Sequence, residues 1–321
     1  LIKMANLIII ISKAVACMNR VDSIFKVESS IEDKGRHGSR KPGSQNSGSQ
    51  NSGSQNPGPQ NSGPQNPALR IPKVEFKDME FVYAGAKEPA LKDISFCAMA
   101  GQTIGVIGGT GSGKSTLVNL IPRFYDAASG QVLVDGTDVK EYSLDELRDK
   151  TGVVPQKSVL FKGTLRDNMR WGKQDASDEE IYRALDTAQA REFVDSKGEG
   201  LDLYIDQGGH NLSGGQRQRL TIARALVRRP EILIMDDSAS ALDFATDARL
   251  RKAIRENTGD MTVFIVSQRA TTIKSADTIL VLDEGRLAGM GTHKELLKDC
   301  QVYREICLSQ LSKEEVERDE Q

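Results

Sequence analysis

The sequence predicts an α/β fold built on a parallel β-sheet, with an antiparallel β layer and a helical insert added to it. Three observations predict it. Apolar strand-like runs alternate with helical stretches from residue 71 onward. One of these runs, around Ile104, Val106 and Ile107, breaks into glycines and closes on Lys114-Ser115-Thr116. Another, residues 231–237 (E-I-L-I-M-D-D), ends in two carboxylates.

The chain has 321 residues, enough for one to two domains and a large core. Lys and Arg number 43 against 45 Asp and Glu, a formal charge of −2, which lacks the basic footprint of a nucleic-acid binder. Cys17, Cys97, Cys300 and Cys307 form no C-x-x-C pair and no metal spacing. They read as reduced thiols of a cytosolic domain. The sequence opens on Leu1, and the expectation is a piece of something longer.

Met4, Leu7, Ile11, Ala14, Met18, Val21 and Phe25 recur at steps of three and four, one stripe of a long helix. Lys3 and Lys13 bracket its most apolar part. At 1.5 Å per residue that part spans roughly half of a ~30 Å bilayer core, so it does not cross a membrane alone. It is either the cytoplasmic end of a longer spanning helix or an amphipathic helix packed on its own domain. No short basic start and no cleavage site mark a signal peptide. Lys34, Arg36, Arg40 and Lys41 follow, a cluster that suits a juxtamembrane position or a solvated run. Residues 44–67 then repeat every five (S-Q-N-S-G, S-Q-N-P-G, P-Q-N-S-G). Such a repeat of polar and breaker residues buries no face, and residues 32–70 are expected to be a disordered linker.

The ordered domain is expected from residue 71 to 311, with a charged tail over 312–321. Residues 73–83 alternate as a strand ending at Tyr83, and Ile94–Met99 is a second strand. Gly108, Gly109, Thr110, Gly111, Ser112, Gly113, Lys114 and Ser115 then match the phosphate-loop pattern in full, between a strand and a helix. Each part serves phosphate chemistry. The glycines let backbone N–H groups wrap a phosphate. The helix beginning near Gly113 aims its positive end at that charge. Lys114 reaches the β- and γ-phosphates, and the Ser115 hydroxyl is a magnesium ligand. Gln131–Val134 is a short strand before an Asp135-Gly136 turn, and Gly152–Pro155 is another, ending at Gln156. Residues 157–211 form the helical insert. Leu212-Ser213-Gly214-Gly215-Gln216 opens the next helix, with Ser213 as N-cap and the paired glycines leaving the backbone open. Asp236 sits where a magnesium-holding Asp belongs. Met261–Val266 is a buried strand ending at Ser267-Gln268. Ile279–Leu282 and Arg286–Met290 make a closing hairpin around Asp283-Glu284-Gly285.

Taken together, these residues resemble the ATP-binding-cassette (ABC) ATPases, P-loop enzymes, and among them the exporter half-transporters whose membrane domain precedes the ATPase. The resemblance covers about 71–310. It implies ATP and Mg2+ as ligands, with Tyr83 stacking on adenine and Gly108 to Thr116 holding the phosphates. It implies that Ser115, Gln156 and Asp236 hold magnesium and that Gln156 senses the membrane domain. Leu212, Ser213, Gly214, Gly215 and Gln216 resemble the signature that closes on a partner chain's ATP, and Ser240, Ala241, Leu242 and Asp243 the loop coupling two sites. Residues 1–31 then resemble the end of the last transmembrane helix, which puts the ATPase on the cytoplasmic side of a cell membrane.

Three positions depart from the family pattern. The carboxylate after the magnesium Asp is Glu in the family and Asp237 here. The switch residue after the later strand is His there and Gln268 here. Ile205-Asp206-Gln207 stands in place of Val-Gly-Glu before the signature. A general base must lie within about 2.6–3.2 Å of its water. Asp is shorter by roughly 1.5 Å at the carboxylate, and misplacement of about 1 Å can cost about a hundredfold. Gln268 still donates a hydrogen bond but does not titrate. The pair, Asp237 and Gln268 as the catalytic positions, predicts a site that binds ATP well and hydrolyses it slowly. The intact signature then favours a heterodimer with a second half-transporter over a homodimer. Two rival readings are a soluble ABC ATPase of DNA repair or translation and a regulatory module that binds ATP without turning it over. No nucleic-acid partner is expected.

Overall fold

The computed structural model describes residues 2–25, 31, 33, 71–238 and 242–320. The expected linker, apart from Asp33, lies outside the described residues. The chain divides into two compact units, Leu1–Asp33 and Lys34–Gln321. The first holds α1 (Ile2–Phe25). Of its expected stripe, Met4, Ile11, Ala14, Met18 and Val21 are exposed. Among the described residues no helix is long and apolar enough to cross a membrane.

The second unit opens with β1 (Val74–Phe81), β2 (Leu91–Ala98), β3 (Thr103–Gly108), α2 (Lys114–Asn119), β4 (Ser129–Val134), β5 (Thr137–Asp138), α3 (Leu144–Lys150) and β6 (Thr151–Val154). A mainly helical stretch follows: β7 (Gly163–Thr164), α4 (Leu165–Arg170), α5 (Asp178–Thr187), α6 (Arg191–Ser196), β8 (Tyr204–Ile205) and α7 (Gly214–Val227). The chain then runs through β9 (Ile232–Asp236), α8 (Phe244–Asn257), β10 (Thr262–Val266), α9 (Ala270–Ile273), β11 (Thr278–Asp283) and β12 (Arg286–Gly291). It closes on α10 (His293–Asp299), α11 (Gln301–Gln310) and α12 (Lys313–Glu320).

The central sheet has the order β12-β11-β3-β10-β9-β6. Its pairings are parallel except for the β11–β12 hairpin at the edge. Its middle strands are apolar on both faces, as a sheet covered on both sides requires. Side chains alternate between faces along a strand, and the core divides accordingly. Ile104, Val106, Ile232, Ile234, Phe264, Val266, Leu280 and Leu282 enter one cluster, shared with the antiparallel sheet β2-β1-β4-β5. Ile107, Leu233, Met235, Val263, Ile265, Ile279 and Val281 enter the other, shared with α4, α5, α6 and α7. Phe96 ties the antiparallel sheet to the central one. It stacks on Phe76 at 4.6 Å and meets Phe264 edge-on at 6.5 Å.

The helices begin on local signals. α3, α4, α5, α7 and α10 each open with a Ser or Thr cap and a reciprocal partner three residues on. The stretch expected as a charged tail contains α12, whose Val316 is buried. The strand expected to reach Asp237 stops at Asp236, because Asp237 turns into the left-handed region at φ 45°.

A four-membered ion cluster joins the two sheets at their far edge. Lys73 precedes β1, Asp135 follows β4, Lys150 ends α3 and Glu231 precedes β9. Lys73 and Lys150 lie 2.8 and 3.0 Å from Asp135, and Lys150 lies 3.1 Å from Glu231, which Lys73 also contacts. Burial works against charging Asp135, but the bonds from Lys73 and Lys150 outweigh it and hold its carboxyl below the usual range. A depressed folded value means that this stability is present above the ordinary pKa of 3.8 and is lost as pH falls below it. Asp135→Asn should therefore lower the unfolding free energy at pH 7 by about 1 kcal/mol, allowing for partial exposure of the pair. The gap from wild type, read by urea titration, should shrink as the pH is taken below that value.

Candidate functional site

Strand β3 delivers the chain into the glycine loop. Gly108 has no room for a side chain, since a Cβ there would meet the Leu282 carbonyl oxygen at 2.0 Å. Gly113, at φ 97°, holds the left-handed turn into α2 and offers the helix no side-chain cap. The first amides of α2 are therefore open to an outside acceptor. Around Gly109 and Gly111 nothing lies within 4 Å of a Cβ position. Lys114 folds back over the loop, donating from Nζ to the carbonyls of Gly108 at 3.0 Å and Gly109 at 2.6 Å. Burial pulls its pKa down, and the carboxylates of Asp237 and Asp236 oppose that. Ser112 Oγ is buried with no hydrogen-bond partner among the described residues. An open cradle of amides, a buried ammonium and an orphaned hydroxyl are a donor set that fits a polyphosphate.

Two carboxylates face this loop from β9. Ser115 Oγ donates to Asp236 Oδ1 at 2.9 Å. Asp237 departs from the strand, its N–H donating to the Val266 carbonyl at 3.0 Å, and Gln156 Nε2 donates to its Oδ2 at 3.2 Å. Gln156 arrives from just beyond β6. Lys114, Ser115, Gln156, Asp236 and Asp237 are thus brought together from α2, β6 and β9. Burial raises the Asp236 pKa, the Ser115 bond opposes it, and Asp237 adds to it. Burial also raises that of Asp237, against the Gln156 bond and the charges of Lys114 and Arg269. No group of three His, Cys, Asp or Glu among the described residues forms a metal cage. A hard cation beside Ser115 and Asp236 would complete its shell with phosphate and water oxygens, the usual habit of magnesium.

Tyr83 lies two residues beyond β1 and is 39% exposed. Its hydroxyl pairs with Thr116 Oγ1 at 2.8 Å, which links it to the phosphate loop. Phe81 and Tyr125 hold the ring edge-on, with centroids at 4.7 and 5.4 Å. Tyr125 carries no motif in the sequence and meets Tyr83 only because β1 and the segment after α2 converge. Gln268 follows β10, whose end is fixed by Ser267 N–H on the Val106 carbonyl at 3.1 Å. Its side chain is exposed.

Leu212 is buried, and Ser213 caps α7. Ser213 Oγ accepts from the Gln216 N–H at 3.2 Å, and Gln216 Oε1 accepts from the Ser213 N–H at 2.9 Å. Gly214 and Gly215 fill the turn between them. Among the described residues this segment shares no hydrogen bond with the glycine loop. Leu242 is buried and Asp243 caps α8, accepting from the Thr246 N–H at 2.9 Å. Ser240 and Ala241 lie outside the described residues.

A family model described as ABC transporter matches residues 91–240. The chain's ATPase domain belongs to the ABC transporter family. An ABC transporter ATP-binding protein of Mycobacterium tuberculosis is 49% identical over 233 residues, 72% of this chain and 40% of its own length. An ATP-dependent lipid A-core flippase of Haemophilus influenzae is 43% identical over 240 residues, 74% of this chain and 41% of its own. Among solved structures, a bacterial Atm1-family ABC exporter with ATP bound matches at a TM-score of 0.72 and 38% identity. It covers 75% of this chain, which spans 42% of it. The chain spans about two fifths of the length of the curated relatives that it matches.

Within this ABC ATPase domain the capping box of Ser213 and Gln216 fixes the start of α7. Ser213→Ala should destabilise the domain by about 1 kcal/mol, and Ser213→Thr should recover most of that. Urea unfolding of both variants checks it.

Proposed function

We propose that this chain carries the ATP-driven motor of a membrane exporter subunit and works as one half of a pair. The observation that carries the reading is the convergence of Lys114, Ser115, Gln156, Asp236 and Asp237 on the glycine loop. In this reading residues 108–116 take the ATP phosphates and Tyr83 takes the adenine. Lys114 moves from the loop carbonyls to phosphate oxygens when nucleotide enters. Ser115, Gln156 and Asp236 hold Mg2+, which neutralises charge developing on the phosphates. Asp237, oriented by Gln156, is the group that orients the attacking water and takes its proton.

The membrane part of the proposal rests on the names and lengths of the relatives, a flippase and an exporter among them. Residues 1–31 are the cytoplasmic end of the last spanning helix, which places the ATPase domain at the cytoplasmic face of a cell membrane. The signature, Leu212 to Gln216, serves ATP held by a partner, and residues 240–243 couple the two sites. Asp237 and Gln268 make this chain's own site slow, so the partner that suits it is a second half-transporter with Glu and His there.

Two experiments test the reading. Lys114→Ala removes a charge-assisted contact worth about 1.5–3 kcal/mol, so ATP affinity should fall about ten- to a hundredfold. Unchanged affinity would sink the phosphate-loop role. Wild-type chain should bind ATP and turn it over slowly, and Asp237→Glu with Gln268→His should raise single-turnover hydrolysis by up to about a hundredfold. Brisk wild-type turnover that Asp237→Asn abolishes would overturn the slow-site reading.

A further inference from the structure

Beyond β10 the chain turns tightly through Ser267, Gln268, Arg269 and Ala270 before α9 begins. Two backbone groups of this turn are tied close by. The Ser267 N–H donates to Val106, and the Arg269 N–H donates to Ser267 Oγ at 2.9 Å. The N-cap of α9, Arg269, supplies no side-chain cap. The missing partners come from Gln310, the last residue of α11. Its Oε1 accepts from the Ala270 N–H at 2.9 Å, and its Nε2 donates to the Gln268 carbonyl at 2.8 Å. One primary amide thus bridges residues 268 and 270 as a neighbouring strand would.

Only an amide side chain has a donor and an acceptor at this spacing and no charge. α11 holds that amide steadily, because Tyr303 and Cys307 on its inner face are fully buried. The far end of α9 is tied to the same C-terminal helices, with Lys274 lying 3.6 Å from Asp319 of α12. Asp237 hangs from the same strand end, through its N–H on Val266. The placement of the Gln268 backbone, two residues beyond the carbonyl that holds Asp237, is therefore tied to α11.

We propose that Gln310 is a positioning residue for ATP hydrolysis, setting the Gln268 segment against the glycine loop from the C-terminal helices. This rests on the proposed role of Gln268. It adds a site determinant some forty residues beyond the switch it sets.

The test uses the full chain, with ATP in single-turnover hydrolysis and a fluorescent ATP analogue for affinity. Gln310→Met keeps the length of the side chain and loses both hydrogen bonds. It should slow hydrolysis about two- to tenfold, the effect of one or two ordinary hydrogen bonds, with nucleotide affinity unchanged. Hydrogen exchange at the Ala270 amide should quicken. Gln310→Glu keeps the acceptor and loses the donor, so it should restore Ala270 protection while leaving hydrolysis slow. Gln310→Met at the wild-type rate, or slow only in step with weakened nucleotide binding, overturns the inference alone. A wild-type chain that binds no ATP overturns the proposed function and this role with it.

Discussion

Everything at the site hangs on the register of three parallel strands. Val106 of β3 pairs with Val266 of β10, and Val266 pairs with Asp236 of β9. Parallel strands all end on the same edge. The glycine loop, the two carboxylates and Gln268 therefore emerge together although they are far apart in sequence. A slip of one residue would invert every side chain between the two cores, so burial on both faces locks the register. The chemistry is held in place by apolar packing that takes no part in it.

That packing also sets the charge balance. Lys114, Asp236 and Asp237 share a partly dry pocket, where burial disfavours each charge and the attraction of Lys114 for both carboxylates restores part of it. Lys114 satisfies itself on the loop's own carbonyls, and an entering anion has only to displace those bonds. A backbone bond to β10 and the Gln156 amide help to aim Asp237. Gln156 comes from just beyond β6, the edge strand of the sheet.

Much of this was legible in the sequence, where the signal is local. The glycine loop, the Ser213 cap and the apolar strands ending in Asp236 and Gln268 are each written in a few consecutive residues. The structure brings together what such runs predict. Other contacts left no local trace. Tyr125 supports Tyr83, Gln310 reaches Gln268, and four ions from four segments meet at the sheet edge, each through tertiary convergence. The left-handed turn at Asp237 was hidden too, because the residue continues an apolar strand in pattern while its backbone departs from it. α12 was hidden by composition, since Val316 is a single apolar residue among charges.

The capped helices have a consequence for how the molecule is made. Each carries its own start signal, so helix can nucleate while the chain is still leaving the ribosome. Strand β3 cannot do likewise. Both of its neighbours in the sheet, β10 and β11, lie far downstream, and pairing across such separations is slow. Until β10 is made, the glycine loop thus hangs from an apolar strand without its sheet neighbours. A strand made early is thus completed late, and in that interval its apolar faces are open to wrong partners.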